Sequence, residues 1–191
     1  MSLSTPVTRR ALRHTRAIAV QAYARDDGLW DLDARITDIK VHDVKLASGP
    51  RPGGTPLHDL SLRLTVDLHL TIVDAEAVSD AVPYPGFCNT IAPAYKALIG
   101  LNLMKGFRHE LKQRVAGMAG CTHLTELAQI LPTAAVQAFA GEVWATNDLA
   151  SDNADAPQHK PFQLDKCHAL RTDGGAVAQF YPRWAVKPVP A

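Results

Sequence analysis

Two cysteines and one His-Asp pair are the residues of this chain whose types and positions best suit chemistry. Cys88 follows a proline-rich turn at 83–86, and Cys121 opens a strongly helical run. His58 and Asp59 open the best strand pattern in the sequence. Thiolate, imidazole and carboxylate groups are metal ligands, and they also serve as nucleophile and base in many enzymes. Their positions at the ends of elements predict either a metal site or a thiol-centred reactive site.

The segment 121–127, Cys-Thr-His-Leu-Thr-Glu-Leu, is dense in reactive side chains. A thiol at a helix N-terminus faces the positive end of the helix dipole and free N–H groups, which favour the reactive thiolate. His123 and Glu126 are three residues apart and share a helix face, so one could orient the other. The structural alternative is that Thr122 caps the helix, Cys121 is a small buried residue and His123 lies on the surface. The catalytic candidates are His58, Asp59, Cys121, His123 and Glu126.

The strongest periodic signal runs from Leu60 to Ile72, where apolar residues hold the even positions and polar residues the odd ones. Such alternation predicts a strand whose even-numbered side chains lie buried under the helices. His58 stands at an even position, like the apolar residues of this strand, and Asp59 stands at an odd position, like the polar ones. Their side chains therefore point to opposite faces unless the strand begins after them. The residues expected to be buried on this basis are Leu62, Leu64, Val66, Leu68 and Leu70.

Three more strands complete the predicted sheet. A β-compatible stretch over 15–23 and an alternating stretch over 29–41 flank an Asp-Gly turn that suits a hairpin. The segment 47–54 is predicted to be a loop because of its glycines and prolines. A fourth strand is expected over 72–82, after a short reversal near Asp74. Four antiparallel strands would give a sheet with one polar and one buried face.

Helical patterns follow the sheet. They cover 91–103, 107–118 and 122–144. Pro132 is expected to kink or split the third helix, because proline cannot donate the helical hydrogen bond. The order of elements therefore predicts an α+β fold: an antiparallel sheet of about four strands, then a layer of three or four helices, then a short β tail.

The C-terminal third of the chain has weaker patterns. An acidic, proline-bearing stretch over 150–161 is predicted to be a mobile loop, and 163–180 is predicted to make a short β return. The predicted domain boundaries are a polar N-terminal arm at 1–14, one α+β domain at 15–182 and a tail at 183–191.

The bulk composition excludes several classes of protein. The 191 residues carry a net charge of +1, so no overall field favours nucleic acid or an anionic membrane. No apolar run approaches the roughly 18 residues of a membrane span, and the N-terminus lacks a secretory pattern. Three cysteines fit reduced thiols, so we expect a cytoplasmic protein. The expected partner is a small-molecule substrate, and homo-oligomerisation is left open. Phosphate-binding glycine loops and the Gly-x-Ser-x-Gly motif of serine hydrolases are absent from the sequence.

Four segments resemble a bacterial family of unknown function, the domain-of-unknown-function family numbered 2889. They are Asp26-Asp27-Gly28-Leu29-Trp30-Asp31, Pro56-Leu57-His58-Asp59-Leu60, Gly100-Leu101-Asn102-Leu103, and the run from Gly120 to Thr133. The resemblance covers roughly Thr15 to Pro182. It implies a cytoplasmic protein encoded among genes for the breakdown of aromatic or similar small carbon sources, and a catabolic step on an acyl thioester.

The order of elements is also similar in pattern to the U-type iron–sulfur scaffold proteins. Those begin with an antiparallel sheet, one strand of which follows a Cys-x-Asp segment, and then place a cysteine after the sheet and another cysteine at the start of a late helix. Asp59, Cys88 and Cys121 occupy the matching places, and the similarity implies that these three residues bind a metal. Leu57 stands where the scaffolds carry a further cysteine. Two thiolates with an aspartate or histidine suit zinc or a single iron better than a cluster. We therefore expect Cys88 and Cys121 to approach one another.

Two classes of function and a structural alternative follow. The first is a small-molecule catabolic enzyme that hydrolyses an acyl thioester or a related organic acid derivative, in a pocket between the end of the sheet and the helix N-terminus at Cys121. The second is a non-catalytic metal- or iron–sulfur-handling protein that uses Asp59, Cys88 and Cys121. The third is a structural partner protein, because each candidate residue also has a structural explanation.

Overall fold

A computed structural model describes residues 3–146 and 160–186 of the chain. Its contacts divide the chain into two compact units, Met1–Val136 and Gln137–Ala191. The first unit contains six strands, and the elements confirm the predicted α+β class. The strands are β1 (His14–Ala24), β2 (Trp30–Lys40), β3 (Val44–Leu46), β4 (Gly49–Arg51), β5 (Pro56–Val66) and β6 (Ile72–Ala81).

A four-stranded antiparallel sheet forms the centre of the first unit. Its strand order is β1-β2-β5-β6, so the two long central strands are β2 and β5. The β1–β2 hairpin turns at Gly28, whose φ of 81° explains the need for glycine in the predicted Asp-Gly turn. The predicted loop over 47–54 instead contains part of a small hairpin, in which β3 pairs with β4. That prediction was wrong because Gly49, at a φ of 120°, turns the chain tightly enough for pairing.

The two faces of the sheet differ as the alternation predicts. Even-numbered side chains of β2 and β5, such as Ile36 and Leu62, are almost completely buried. Each fully buried leucine or isoleucine contributes about 1.5–3 kcal/mol to folding, so this face holds the core together. The opposite face carries ion pairs across the strands, including Arg63 to Asp33 at 2.6 Å. The buried residues of β5 include Leu60, Leu62, Leu64 and Val66.

The predicted strand over 60–72 ends earlier than expected, at Val66. The reversal lies between β5 and β6 rather than near Asp74, because the Asp67 carboxylate accepts hydrogen bonds from the backbone N–H groups of His69 and Thr71. An aspartate that bonds its own following backbone in this way stabilises a turn.

The five-residue burial prediction therefore has one exception. Leu68 is 48% exposed in the turn, so its expected burial was wrong. Leu70 has a φ of 61°, yet its side chain is fully buried. The burial of Leu62, Leu64, Val66 and Leu70 is confirmed.

The segment expected to be a first α-helix over 91–103 is a run of 3-10 turns at Cys88–Leu98. The run includes Pro93, which lacks a backbone donor. The chain then leaves the helical path because its backbone pairs with the sheet. The N–H of Gly100 donates to the Ile72 carbonyl, and the N–H of Leu103 donates to the Leu70 carbonyl. These bonds compete with any continuation of a helix to 103.

Two α-helices follow the 3-10 segment. Helix α1 spans Phe107–Val115, and a short 3-10 turn at Gly117–Ala119 separates it from α2, Thr122–Phe139. Helix α2 continues through Pro132, so of the expected kink or split the split was wrong. Leu124, Leu127 and Leu131 are among the fully buried residues of α2. None of the helices in the described residues is both long and apolar enough to span a membrane.

The second unit is helical where a β tail was predicted. Helix α3 spans Gly175–Phe180, and a 3-10 turn follows at Pro182–Trp184. The β return over 163–180 was therefore wrong. The side chain of Asp165 accepts the N–H of Thr172, which stabilises an irregular turn before the helix. Most of the mobile loop predicted at 150–161 lies outside the described residues.

Candidate active site

Polar side chains occupy one end of the sheet face that is otherwise buried and apolar. In the antiparallel register, Arg16 of β1 lies opposite Asp38 of β2, and Asp38 lies opposite His58 of β5. Residues paired in this way place their side chains next to one another on the same face. His123, in the first turn of α2, meets this row from the helical side. Three strands and one helix therefore bring an arginine, an aspartate and two histidines together.

Asp38 is the centre of this group and is 2% exposed. Arg16 donates two hydrogen bonds of 2.9 Å, from Nε to Oδ1 and from Nη2 to Oδ2, and His14 Nε2 lies 2.8 Å from Oδ1. Burial by itself raises the pKa of Asp38, but the hydrogen bonds from Arg16 and His14 outweigh it and lower the pKa to about 2. Asp38 is therefore a carboxylate at neutral pH.

The two histidines stack on one another beside Asp38. The ring centroids of His58 and His123 are 3.9 Å apart, with an angle of 33° between the planes. His58 Nδ1 lies 3.2 Å and His123 Nε2 lies 3.5 Å from Oδ2 of Asp38. Burial lowers the pKa of both rings, and the neighbouring His123 lowers that of His58 further. Both imidazoles are therefore neutral at neutral pH, and each keeps one nitrogen lone pair.

Cys121 lies on the other side of the His123 ring. Its Sγ is 3.9 Å from His123 Nδ1, within the range of a hydrogen bond to sulfur. Cys121 precedes α2, and its carbonyl accepts the first helical hydrogen bond, from the N–H of Thr125. These contacts give a continuous order of groups from the Cys121 thiol through the His123 ring to the Asp38 carboxylate.

The Tyr95 hydroxyl holds the start of α2 through hydrogen bonds. Its side chain is fully buried, and its hydroxyl accepts the N–H of Cys121 at 3.0 Å. The same hydroxyl lies 2.8 Å from the Cys121 carbonyl and 2.8 Å from the Thr125 hydroxyl. Because these bonds hold the backbone of Cys121, they also hold its thiol in position against His123.

Removing this hydroxyl is expected to destabilise the protein. Tyr95→Phe leaves the N–H of Cys121 without its partner, so the free energy of unfolding should fall by about 1–3 kcal/mol. Urea unfolding followed by circular dichroism measures the change. Tyr84→Phe is the matched control, because Tyr84 is 46% exposed. Equal stability of the two variants would contradict the anchoring role of Tyr95.

The structure separates the residues selected from the sequence into two sets. His58, Cys121 and His123 lie in or beside the cluster around Asp38. Glu126 reaches the cluster through Arg16, because its Oε2 atom lies 2.7 Å from Arg16 Nη1. Glu126 therefore pairs with Arg16 and does not orient His123 through a hydrogen bond. Asp59 faces the other side of the sheet, where it makes a bidentate ion pair with Arg35.

Asp59, Cys88 and Cys121, the metal ligands implied by the scaffold resemblance, do not form one group. Across residues 3–146 and 160–186, the group of three potential ligand residues whose atoms lie within 4.8 Å of one another is Asp38, His58 and His123. Cys88 lies at the start of the 3-10 segment, and its N–H donates to the Tyr84 carbonyl. Asp59 is directed away because the strand includes both His58 and Asp59, and neighbouring strand residues point to opposite faces.

Sequence reasoning missed Asp38, Arg16 and His14. One signal was present: Asp38 continues the even-numbered series Leu32, Ala34 and Ile36 of β2, so alternation alone assigns it to the buried face. A charged residue in the buried phase of a strand requires a partner. The sequence predicted the hairpin of β1 and β2 but not its register, and the register decides which residue lies opposite Asp38.

The first unit is an α+β domain with a thiol, two imidazoles and a buried carboxylate at one end of its sheet. Residues 14–137 match the family described as "Protein of unknown function (DUF2889)", and the chain belongs to this family. The matched segment includes all the residues of the cluster, from His14 to Glu126. No curated protein and no solved structure matches the chain significantly.

Proposed function

We propose that this protein is a small-molecule hydrolase that cleaves acyl thioesters with Cys121 as nucleophile, His123 as general base and Asp38 as the carboxylate that orients His123. The observation that carries the proposal is the position of the His123 ring, with Nδ1 3.9 Å from the Cys121 sulfur and Nε2 3.5 Å from Asp38 Oδ2. A thiol, an imidazole and a carboxylate in this order constitute a nucleophilic triad.

In the first half of the reaction, Cys121 attacks the thioester carbonyl. His123 Nδ1 takes the thiol proton as the new S–C bond forms, and the developing imidazolium is stabilised by the adjacent Asp38 carboxylate. The first N–H groups of α2 have no partner within the helix, and in this mechanism they are the donors that stabilise the oxyanion. The tetrahedral intermediate then expels the substrate thiolate, which receives the proton from His123 and leaves as a free thiol.

In the second half, water releases the acyl group. His123 accepts a proton from water as the oxygen attacks the acyl-Cys121 carbonyl, and it returns that proton to the Cys121 sulfur as the S–C bond breaks. The products are a carboxylic acid and the regenerated thiol. The low pKa of the His123 ring supports this role, because a neutral imidazole is the form that accepts a proton.

The neighbouring groups support the same assignment. Stacking against His58 limits the orientations of the His123 ring, and Arg16 limits those of Asp38. A thioester is the favoured substrate because a thiolate leaves more easily than an amine and requires less help from an acid.

The proposal is tested by trapping the intermediate. A panel of short aliphatic and aromatic acyl thioesters is mixed with the protein, and free thiol release is followed in time. Acid-quenched samples are examined by intact-protein and peptide mass spectrometry, and we expect an acyl adduct on Cys121. Cys88→Ser is the control and should form the same adduct. Hydrolysis that continues without any adduct, or an absence of hydrolysis across the panel, would contradict the proposal.

A further inference from the structure

We infer that Asp38, His58 and His123 form a binding site for one divalent transition-metal ion, with zinc as the ion that fits best, and that filling this site switches the Cys121 thiol off. This site goes beyond the proposed hydrolase, and none of its ligands is a cysteine. Three elements supply the three ligands: β2, β5 and α2. Two imidazoles and one carboxylate with a remaining open position are a common ligand set for zinc.

The distances between the ligand atoms support a tetrahedral ion. Ligand atoms about 2.1 Å from zinc at tetrahedral angles lie about 3.4 Å from one another. Asp38 Oδ2 is 3.2 Å from His58 Nδ1 and 3.5 Å from His123 Nε2, so two edges of such a tetrahedron already exist. All three ligand atoms lie within 4.8 Å of one another. Two bound rings would have centroids about 5 Å apart, so the stacked rings, at 3.9 Å, must separate by about 1 Å.

A second observation concerns His58. Its Nδ1 atom is buried and has no hydrogen-bond partner, although it lies 3.2 Å from Asp38 Oδ2. A buried polar atom without a partner costs free energy, and a metal ion would satisfy it.

The surroundings hold the ligand carboxylate in place. Arg16 and His14 donate to Asp38, as the outer groups of metal sites commonly do to orient a ligand. Arg16 brings a positive charge near the ion, and Glu126 offsets it through the 2.7 Å contact with Nη1. Each carboxylate oxygen has more than one lone pair, so Asp38 Oδ2 can accept from Arg16 and still bind a metal.

A bound ion would compete with the proposed hydrolysis. Coordination through His123 Nε2 leaves the proton of that ring on Nδ1, the atom that must accept the Cys121 proton. Coordination also takes Asp38 Oδ2 away from its orienting role. Metal binding and nucleophilic catalysis therefore exclude each other at this cluster, although they use opposite edges of the His123 ring.

Calorimetric titration of zinc into protein without a histidine tag, previously dialysed against a chelator, tests the site. We expect one equivalent to bind with a Kd at or below about 1 μM. His58→Ala should weaken binding by at least about 100-fold, since even outer-shell changes cost 10–100-fold. His109→Ala, an exposed histidine of α1, is the matched control and should bind as the wild type does. Cys121→Ser should also retain the site.

Several results would overturn this inference. They are the absence of stoichiometric zinc binding, equal binding by His58→Ala and the wild type, and loss of binding in Cys121→Ser. A thioester assay on the wild type then tests the competition, because one equivalent of zinc should abolish hydrolysis and a chelator should restore it. Activation by zinc would refute the mutual exclusion. If no thioester is hydrolysed even without metal, the proposed hydrolase fails, while the titration still decides the metal site.

Discussion

Cys121→Ala is expected to lower kcat for thioester hydrolysis by at least about 1000-fold, which corresponds to about 4 kcal/mol of transition-state stabilisation. The variant retains His123, Asp38 and the helix N-terminus but lacks the atom that forms the acyl intermediate. Steady-state assays of thiol release measure the effect. Folding should be little affected, because Cys121 is only half-buried and its backbone, rather than its thiol, makes the bonds to Tyr95.

Two cysteines in the same chain provide the controls for this result. Cys88→Ser and Cys167→Ser should retain at least about half of the wild-type kcat, because neither thiol belongs to the cluster around Asp38. A small neutral alkylating reagent should inactivate the wild type in proportion to the modification of Cys121. If Cys121→Ala hydrolyses the substrate at the wild-type rate, the thiol is not the nucleophile, and direct attack by water would be the mechanism to examine.

The central strands could be predicted from sequence because the buried face of each strand carries an apolar residue at every second position. The even-numbered leucines of β5 are an example, and the burial of Leu62 and Leu64 follows from them. The 3-10 segment could not be distinguished from an α-helix in the same way. Its apolar spacing is compatible with both, and the hydrogen bonds from Gly100 and Leu103 to the turn and strand at 70–72 decide where it ends.

The site was predictable in part for a related reason. Cys121 and His123 are two residues apart, so local sequence brings them together. Asp38 joins them through a contact between β2 and α2 that no local pattern encodes. Asp59 was selected instead because it is adjacent to His58, but adjacent residues in a strand point to opposite faces. Proximity in sequence therefore favoured the wrong carboxylate, while the phase of the alternation favours Asp38.

The cluster around Asp38 adds little to the stability of the fold. A buried carboxylate with two flanking histidines replaces what could be apolar packing at this end of the sheet, and burying an ion pair is rarely a net gain in stability. The opposite face of the sheet pairs Asp33 with Arg63 in water, where such a pair costs little. The proposed chemical role accounts for the placement of Asp38 on the buried face.

Asp38→Asn is expected to lower kcat by about 100-fold or more, with a smaller effect on KM, because an amide cannot stabilise the imidazolium that forms at His123. The variant also weakens the bidentate contact with Arg16. We expect it to reduce the free energy of unfolding by about 2 kcal/mol, less than for a fully buried pair, because Arg16 is partly exposed and keeps Glu126 as a partner.

Asp33→Asn separates these two effects. Asp33 makes a bidentate pair with Arg63, as Asp38 does with Arg16, but on the opposite face of the sheet. It should therefore cost little activity. The rate of Cys121 alkylation by a small neutral reagent at neutral pH provides a second readout, because it depends on proton removal by an oriented His123. Asp38→Asn should slow this reaction, and Asp33→Asn should not. If both variants alkylate at the wild-type rate while Asp38→Asn only unfolds more readily, Asp38 has a purely structural role and the triad is reduced to Cys121 and His123.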